Sequence, residues 1–270
     1  MKPQWIVIAS LFFFITGIAI GFWIGGTDRK DDQETLYQVS TIDALLQGSY
    51  EGFVPYAEFK KHGDFGISTF DSLDGEMIAF EGKFFQIRAD GKVIEVTDEM
   101  TTPFGSITYF SPDYYVPVVY ASNITDFARQ VEAVLPSKNY MYAVFMRGEF
   151  PYMETRSIPR QERPYPRMVD ASANQSVFTF YNTSGVVVGF WTPELVEGLN
   201  VPGFHLHYLT DDRTGGGHIQ NFIVDNVTVE LDLTPQFTIV LPTEGSFSVA
   251  ELSGNLSSDL ETVEKGGSRY

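Results

Sequence analysis

Three of the chain's four histidines, His205, His207 and His218, fall in the single stretch GFHLHYLTDDRTGGGHIQNF. Residues two apart on a β-strand project from the same face, so an extended backbone sets His205 and His207 side by side. The polar turn and the glycines Gly215 to Gly217 return the chain as a hairpin, which brings His218 back beside that pair. Neutral imidazoles converging from two adjacent strands, with no fourth protein ligand nearby in sequence, match an open catalytic zinc site. Copper, iron, nickel or manganese would fit a similar cage, and ligand type alone does not separate them. His-x-His pairs also occur on exposed strands without metal, and it is the third histidine that tips the reading toward one. His62, in KKHGDFG, has no such company and reads as a solvated loop residue.

Carboxylates are too numerous for type alone to single one out. Asp plus Glu number 35 against 18 Lys plus Arg in 270 residues, a formal charge of −17. Such a field repels phosphate backbones and argues against a nucleic-acid partner. The absence of cysteine removes disulfides, thiolate metal sites, iron–sulfur clusters and cysteine nucleophiles together. Glu76 follows the Asp74-Gly75 turn directly and opens the run MIAF, where it faces either solvent or a cleft. Five of the ten arginines, Arg147, Arg156, Arg160, Arg163 and Arg167, crowd into a short stretch. Any one of them alone reads as the partner of a surface carboxylate. As a group they suggest a planar fork aimed at a small anion near a domain junction.

The elements that must position these groups read as follows. Leu36, Val39, Ile42, Leu45 and Leu46 have helical spacing and end at Gly48, which predicts a short amphipathic helix. From Phe65 to Val96 the pairs Asp74-Gly75, Glu81-Gly82 and Asp90-Gly91 punctuate apolar runs, a hairpin signature. A second helix is expected over Thr125 to Leu135, capped by Thr125 and stopped by Pro136. Tyr140 to Phe150 reads as a buried strand, and Pro151 to Pro166 as an irregular connector. Beyond it lie six strand-like runs: SVFTFYN, GVVVGFW, FHLHYLT, HIQNFIV, VTVELDL and FTIVLP. The fold class is therefore α/β in two domains: a mixed α/β first half over 36–165 with a β-sheet, and a mainly antiparallel, barrel-like β-rich half over 166–270. In the tail, Ser257 or Ser258 can cap a short helical turn that Gly266-Gly267 would end. At the other end, residues 1–26 contain the uncharged run Trp5 to Gly26, long enough to cross a bilayer and equally like a signal peptide. With 27–35 as a polar tether, the folded part is expected outside the cytoplasm, secreted or anchored at the outer face of the membrane, touching lipid only through that first segment.

Four stretches together resemble the alpha-acetolactate decarboxylase family: LLQGSYEGFVPYAEFKKHGDFGISTFDSLDGEM after the opening helix, the strand region ending TPFGSITYF, the connector around Arg156, and GFHLHYLTDDRTGGGH. The resemblance implies a two-domain α/β enzyme, commonly a homodimer, that converts 2-acetolactate, a 2-hydroxy-3-keto acid, to acetoin and CO2. It implies zinc on His205, His207 and His218, with Glu76 in LDGEM and Glu264 in ETVEKGG completing the site. Arg156 in METRSIP would hold the substrate carboxylate, and Thr69 in GISTF would line the pocket. Zinc chelated by the hydroxyl and keto oxygens would act as a Lewis acid, and one of the two glutamates would donate the proton. The rival readings are another exported zinc enzyme, a hydrolase or cupin-like oxygenase, and a non-catalytic exported metal-binding module. The cupin spacing is absent, because Gly203 lies too close to the histidine pair and Asp211 stands where a glutamate is expected.

Overall fold

The computed structural model describes residues 34–264. The expected N-terminal segment, the tether up to residue 33 and the Gly266-Gly267 stop lie outside the described residues. The fold is mixed α/β and mostly sheet, as expected. In chain order its strands are β1 (Thr35–Val39), β2 (Val54–Pro55), β3 (Phe65–Thr69), β4 (Glu76–Phe80), β5 (Lys83–Ile87), β6 (Val93–Glu95) and β7 (Thr101–Thr102). They continue as β8 (Gly105–Thr108), β9 (Tyr114–Ala121), β10 (Met141–Ser157), β11 (Ser176–Thr192), β12 (Gly203–Thr210), β13 (Gly216–Thr234) and β14 (Gln236–Val240). The α-helices are α1 (Ile42–Leu46), α2 (Tyr56–Phe59), α3 (Ile124–Glu132), α4 (Met168–Ser172) and α5 (Ser257–Glu264).

One sheet has seven strands in the order β14-β1-β8-β3-β4-β5-β6, and only the β1–β14 pair is parallel. The predicted Glu81-Gly82 turn joins β4 to β5, with φ of 52° and 69° at its two residues, the left-handed pair that a tight hairpin demands. The second sheet runs β10-β11-β12-β13-β9, and β10 also pairs with β13, so hydrogen bonding passes around β10, β11, β12 and β13 in a ring. Inside the ring sit Tyr142, Val144, Met146, Val187, Leu206, Tyr208, Ile219 and Phe222, closed off by Phe127 and Val131 of α3. The opposite face of the same strands, carrying Ala143, Val186, Val188 and Phe190, packs on Ile67, Ile78, Phe85 and Ile87 of the seven-stranded sheet. The layer between the sheets is the setting of the site.

The helix expected over Leu36 to Leu46 is two elements. Leu36 and Val39 lie in β1 between β14 and β8, the chain turns at Ser40 with φ 59°, and Thr41 then caps α1 by accepting the Ala44 N–H at 3.2 Å. Sheet pairing on both edges overrides a spacing that suits either structure. Helix α3 begins one residue earlier than expected because Asn123, not Thr125, is its cap, accepting the Asp126 N–H at 2.8 Å. The strand expected to end at Phe150 runs on to Ser157, so Arg156 sits on β10 and not in an irregular connector. SVFTFYN and GVVVGFW form the single strand β11, as HIQNFIV and VTVELDL form β13, and FTIVLP leaves for the first sheet as β14. The sheets do not part at residue 165: β9 and β10 precede it yet belong to the second sheet, and β14 follows it yet belongs to the first.

Candidate functional site

The β12–β13 hairpin forms as its glycines imply, and His207 stands directly opposite His218 in register. His205 shares their face two residues before His207, and the three ring centroids are 5.0 to 5.4 Å apart. One ligand-capable nitrogen from each lies within 4.8 Å of the others. The His207 Nδ1–H donates to the Met77 carbonyl at 2.8 Å, which leaves the Nε2 lone pair facing inward. That Nε2 is buried without a hydrogen-bond partner, and so is Nδ1 of His218. Burial holds all three imidazoles neutral: His205 is pushed down to about 3, and His207 and His218 well below the ordinary histidine range, with the nearby Arg156 adding to the effect. His218 Nε2 lies 3.5 Å from the Glu264 backbone carbonyl. Neutral, convergent imidazole nitrogens, one of them with an unmatched buried lone pair, are what a divalent metal requires, so the residues fit one.

Two carboxylates face the histidines, each toward different ones. Glu76 opens β4, where it pairs with Thr69 of β3. Its Oε2 lies 3.7 Å from His207 Nε2, and its Oε1 accepts from Arg156 Nη1 at 2.6 Å. Glu264 ends α5 and points its Oε2 at His218 Nε2, 3.5 Å away, and at His205 Nε2, 3.8 Å away. The helix that delivers it is seated by Leu260 and Val263, which enter a core shared with Leu45, Tyr50, Ile158 and Met168. An Arg167–Asp259 ion pair fastens the same helix to the residue before α4. Arg156 is 1% exposed, and its guanidinium spans the two carboxylates, with Nη2 3.7 Å from Glu264 Oε1 and Nε unpartnered. Glu76 and Glu264 are both pushed up to about 7, chiefly by burial, against the pull of Arg156 in the other direction.

The structure thus brings together His205, His207, His218, Glu76, Arg156 and Glu264, from strands and a helix up to 188 residues apart in numbering between Glu76 and Glu264. Thr69 is buried beside Glu76, but its hydroxyl donates to the Gly75 carbonyl at 2.7 Å and so braces the turn before that residue. His62 is not simply solvated: its ring stacks on Tyr37 with centroids 3.7 Å apart, remote from the other three. The Met77 carbonyl, which sets the His207 tautomer, went unforeseen, because a backbone group leaves no mark in side-chain identity. Among the described residues, Glu34, Asp113 and Asp232 form a second cluster with convergent oxygens.

The family profile described as Alpha-acetolactate decarboxylase matches residues 36–254. An alpha-acetolactate decarboxylase of Methanosarcina mazei is 49% identical over 232 residues, covering 86% of this chain and 81% of the relative. One from Bacillus licheniformis is 39% identical over 238 residues, covering 88% and 93%. The crystal structure of acetolactate decarboxylase from Bacillus subtilis subspecies spizizenii superposes with a TM-score of 0.82 at 38% identity, covering 85% of this chain and all of that one.

Proposed function

The chain belongs to the alpha-acetolactate decarboxylase family, a family of carboxy-lyases, and from that premise we propose a division of labour among its buried groups. The observation that carries it is the convergence of three neutral imidazoles, two buried glutamates and one buried arginine in a single site. His205, His207 and His218 would hold zinc, a reading supported by three neutral, convergent imidazoles and by the unpartnered Nε2 of His207. Bound there, zinc supplies a Lewis acid for the negative charge that develops as CO2 leaves.

The remaining work falls to the chain's own residues. Arg156 binds the substrate carboxylate through its free Nε–H edge while Nη1 stays on Glu76. Holding the carboxylate on the guanidinium fixes the orientation of the bond to be broken beside the three histidines. When the C–C bond to the carboxylate breaks, its electron pair stays on the substrate as an enediolate. A proton added at that carbon gives acetoin. Glu264 and Glu76 reach different histidines of the site, and each is fixed on its own element, so whichever is protonated would add the proton from one fixed direction. Desolvation favours the protonated acid on both, which suits a donor working near neutrality. Thr69 fixes the turn that presents Glu76, and α5 closes the site against bulk water.

The reading extends beyond the site to a homodimer, tested by light scattering, and to export through the apolar run Trp5 to Gly26, tested by reporter fusions after Gly26. The decisive experiment mixes purified protein with 2-acetolactate before and after exhaustive chelation, and measures acetoin, CO2 and bound metal. The expected result is about one zinc per chain, loss of turnover on chelation and recovery on adding zinc. Full turnover by metal-free protein would overturn the assignment.

A further inference from the structure

Strand β13 keeps one register against β10 from Met141↔Thr234 to Glu154↔Asn221, then shifts by a residue so that Thr155 faces Ile219 and Arg156 faces His218. Gln220 is left unpaired by the shift, a bulge on β13. Directly opposed residues of an antiparallel pair project to the same face. Continued without the bulge, the earlier register would set Arg156 opposite Ile219, whose side chain belongs to the apolar core with Phe222 and Val224. His218 would then stand opposite Ser157. The bulge is therefore what places Arg156 and His218 on one face. It is braced by the Thr155 hydroxyl, which donates to the Gly216 carbonyl at 2.7 Å. Gly217, at φ 134°, allows the Arg156 carbonyl to approach within 2.4 Å of where a Cβ would stand.

The bulged residue also reaches the tail. Gln220 Nε2 donates to the backbone carbonyl of Glu264 at 3.4 Å. Carbonyls in the last turn of a helix have no donor within the helix, and Gln220 supplies one from another element, beside His218 Nε2 at 3.5 Å from the same oxygen. Leu260 and Val263 seat α5 on the core, and both lie before Glu264. The side-chain amide holds that end over the histidines.

We propose that Gln220 is a positioning residue: by capping the last turn of α5 it holds the Glu264 carboxylate against the three-histidine site. The proposal rests on the reading that Glu264 acts on the substrate. Its test uses the full chain, loaded with zinc, carrying Gln220→Met or Gln220→Glu, each alone and combined with Glu264→Gln. Steady-state turnover of 2-acetolactate, bound zinc and hydrogen exchange of the α5 amides are measured. Loss of one neutral hydrogen bond should lower kcat roughly fivefold in Gln220→Met, with KM and zinc unchanged and exchange in α5 faster. Gln220→Glu, which turns an acceptor toward the carbonyl, should lose at least as much. Neither should lose anything further in the Glu264→Gln background, because the two residues would act as one unit. Wild-type kcat in either folded variant, zinc lost in step with kcat, or a full additional loss on top of Glu264→Gln would overturn the proposal. Glu264→Gln alone separates the two levels. If it is deficient while the Gln220 variants are not, only the role of Gln220 falls; if it turns over at the wild-type rate, both readings fall.

Discussion

Strand β13 carries buried carboxyl chemistry near both of its ends, and the two ends are built differently. By its start, Glu76 and Glu264 share one buried guanidinium and face three imidazoles. By its far end, Asp232 is 2% exposed and among the described residues accepts only the Ser111 N–H, at 3.0 Å, while Asp113, Glu34 and Asp64 stand around it. Among the described residues no lysine or arginine pairs with Asp232, Asp113 or Glu34. Both ends hold a carboxyl pushed up to about 7 by burial. A raised carboxyl pKa therefore does not by itself mark a reaction site. What distinguishes the first end is the cation between its acids and the three convergent, neutral imidazoles beside them, one with an unmatched buried Nε2. Those features have no purpose in packing and are costly to leave unmatched. The second end is a knot of like charges that proton uptake relieves.

The comparison breaks most visibly at the histidines. His207→Ala should abolish metal binding and lower acetoin formation by at least about 1,000-fold, since a Lewis acid supplies several kcal/mol of stabilisation in reactions of this type. Metal analysis beside the rate assay checks both halves. At Arg156 the expected loss is smaller but has two components. Arg156→Ala strips the cation from two buried carboxylates and should cost roughly 3–5 kcal/mol of folding stability as well as substrate binding. Arg156→Lys keeps the charge and loses the fork, so turnover should fall with zinc retained. Wild-type turnover in Arg156→Ala would reassign the substrate carboxylate to another group. Glu264→Gln should leave a folded, metal-loaded chain whose rate is down by roughly 100-fold, within the range for a positioned proton donor; truncation after Thr262 also removes the core residue Val263 and should lose at least as much. An unchanged rate and an unchanged acetoin enantiomer would leave Glu76 as the only acid.

The first end of β13 was partly legible in sequence because strand periodicity is local. His205, His207 and His218 need only a two-residue repeat and a glycine turn to meet, and they do. Glu76 and Arg156 stood out only as candidates among many, and Glu264 came only from the family resemblance, because each reaches the site on a different element. Pro151 before Arg156 and the prolines after it look like a break in sequence, whereas pairing with both β11 and β13 extends the strand to Ser157. Leu36 and Val39 were read as helical because a spacing of three satisfies a helix, and only the strands on either side decide otherwise. Gln220 bulges without glycine or any other local signal. Nothing in VELDLT marks Asp232 as buried, since its neighbours come from β1's approach, the β3 entry and the β8–β9 loop. Local chemistry was readable; chemistry assembled by long-range pairing was not.

The far end of β13 gives the smallest effect and the sharpest contrast. A carboxyl raised from its ordinary value of 3.8 to about 7 on folding binds its proton more tightly in the native state than in the unfolded one. The native state then holds more protons between those two values, so stability declines as pH rises through that window and is fully present below it. Asp232→Asn removes the titration while keeping an oxygen for the Ser111 N–H, and its new N–H2 group can donate to Asp113 or Glu34. The variant should be more stable than the parent at pH 8, by on the order of 2 kcal/mol, or roughly 4–8 °C in Tm. Near pH 4 the two should melt together. Turnover of 2-acetolactate should be unchanged, because Asp232 lies outside the site. The corresponding change at the first end, Glu76→Gln, should instead weaken the pairing with Arg156 and impair turnover. A variant Asp232→Asn that melts below the parent at pH 8 would mean that this carboxylate is stabilised as an anion after all, and the two ends of the strand would be alike.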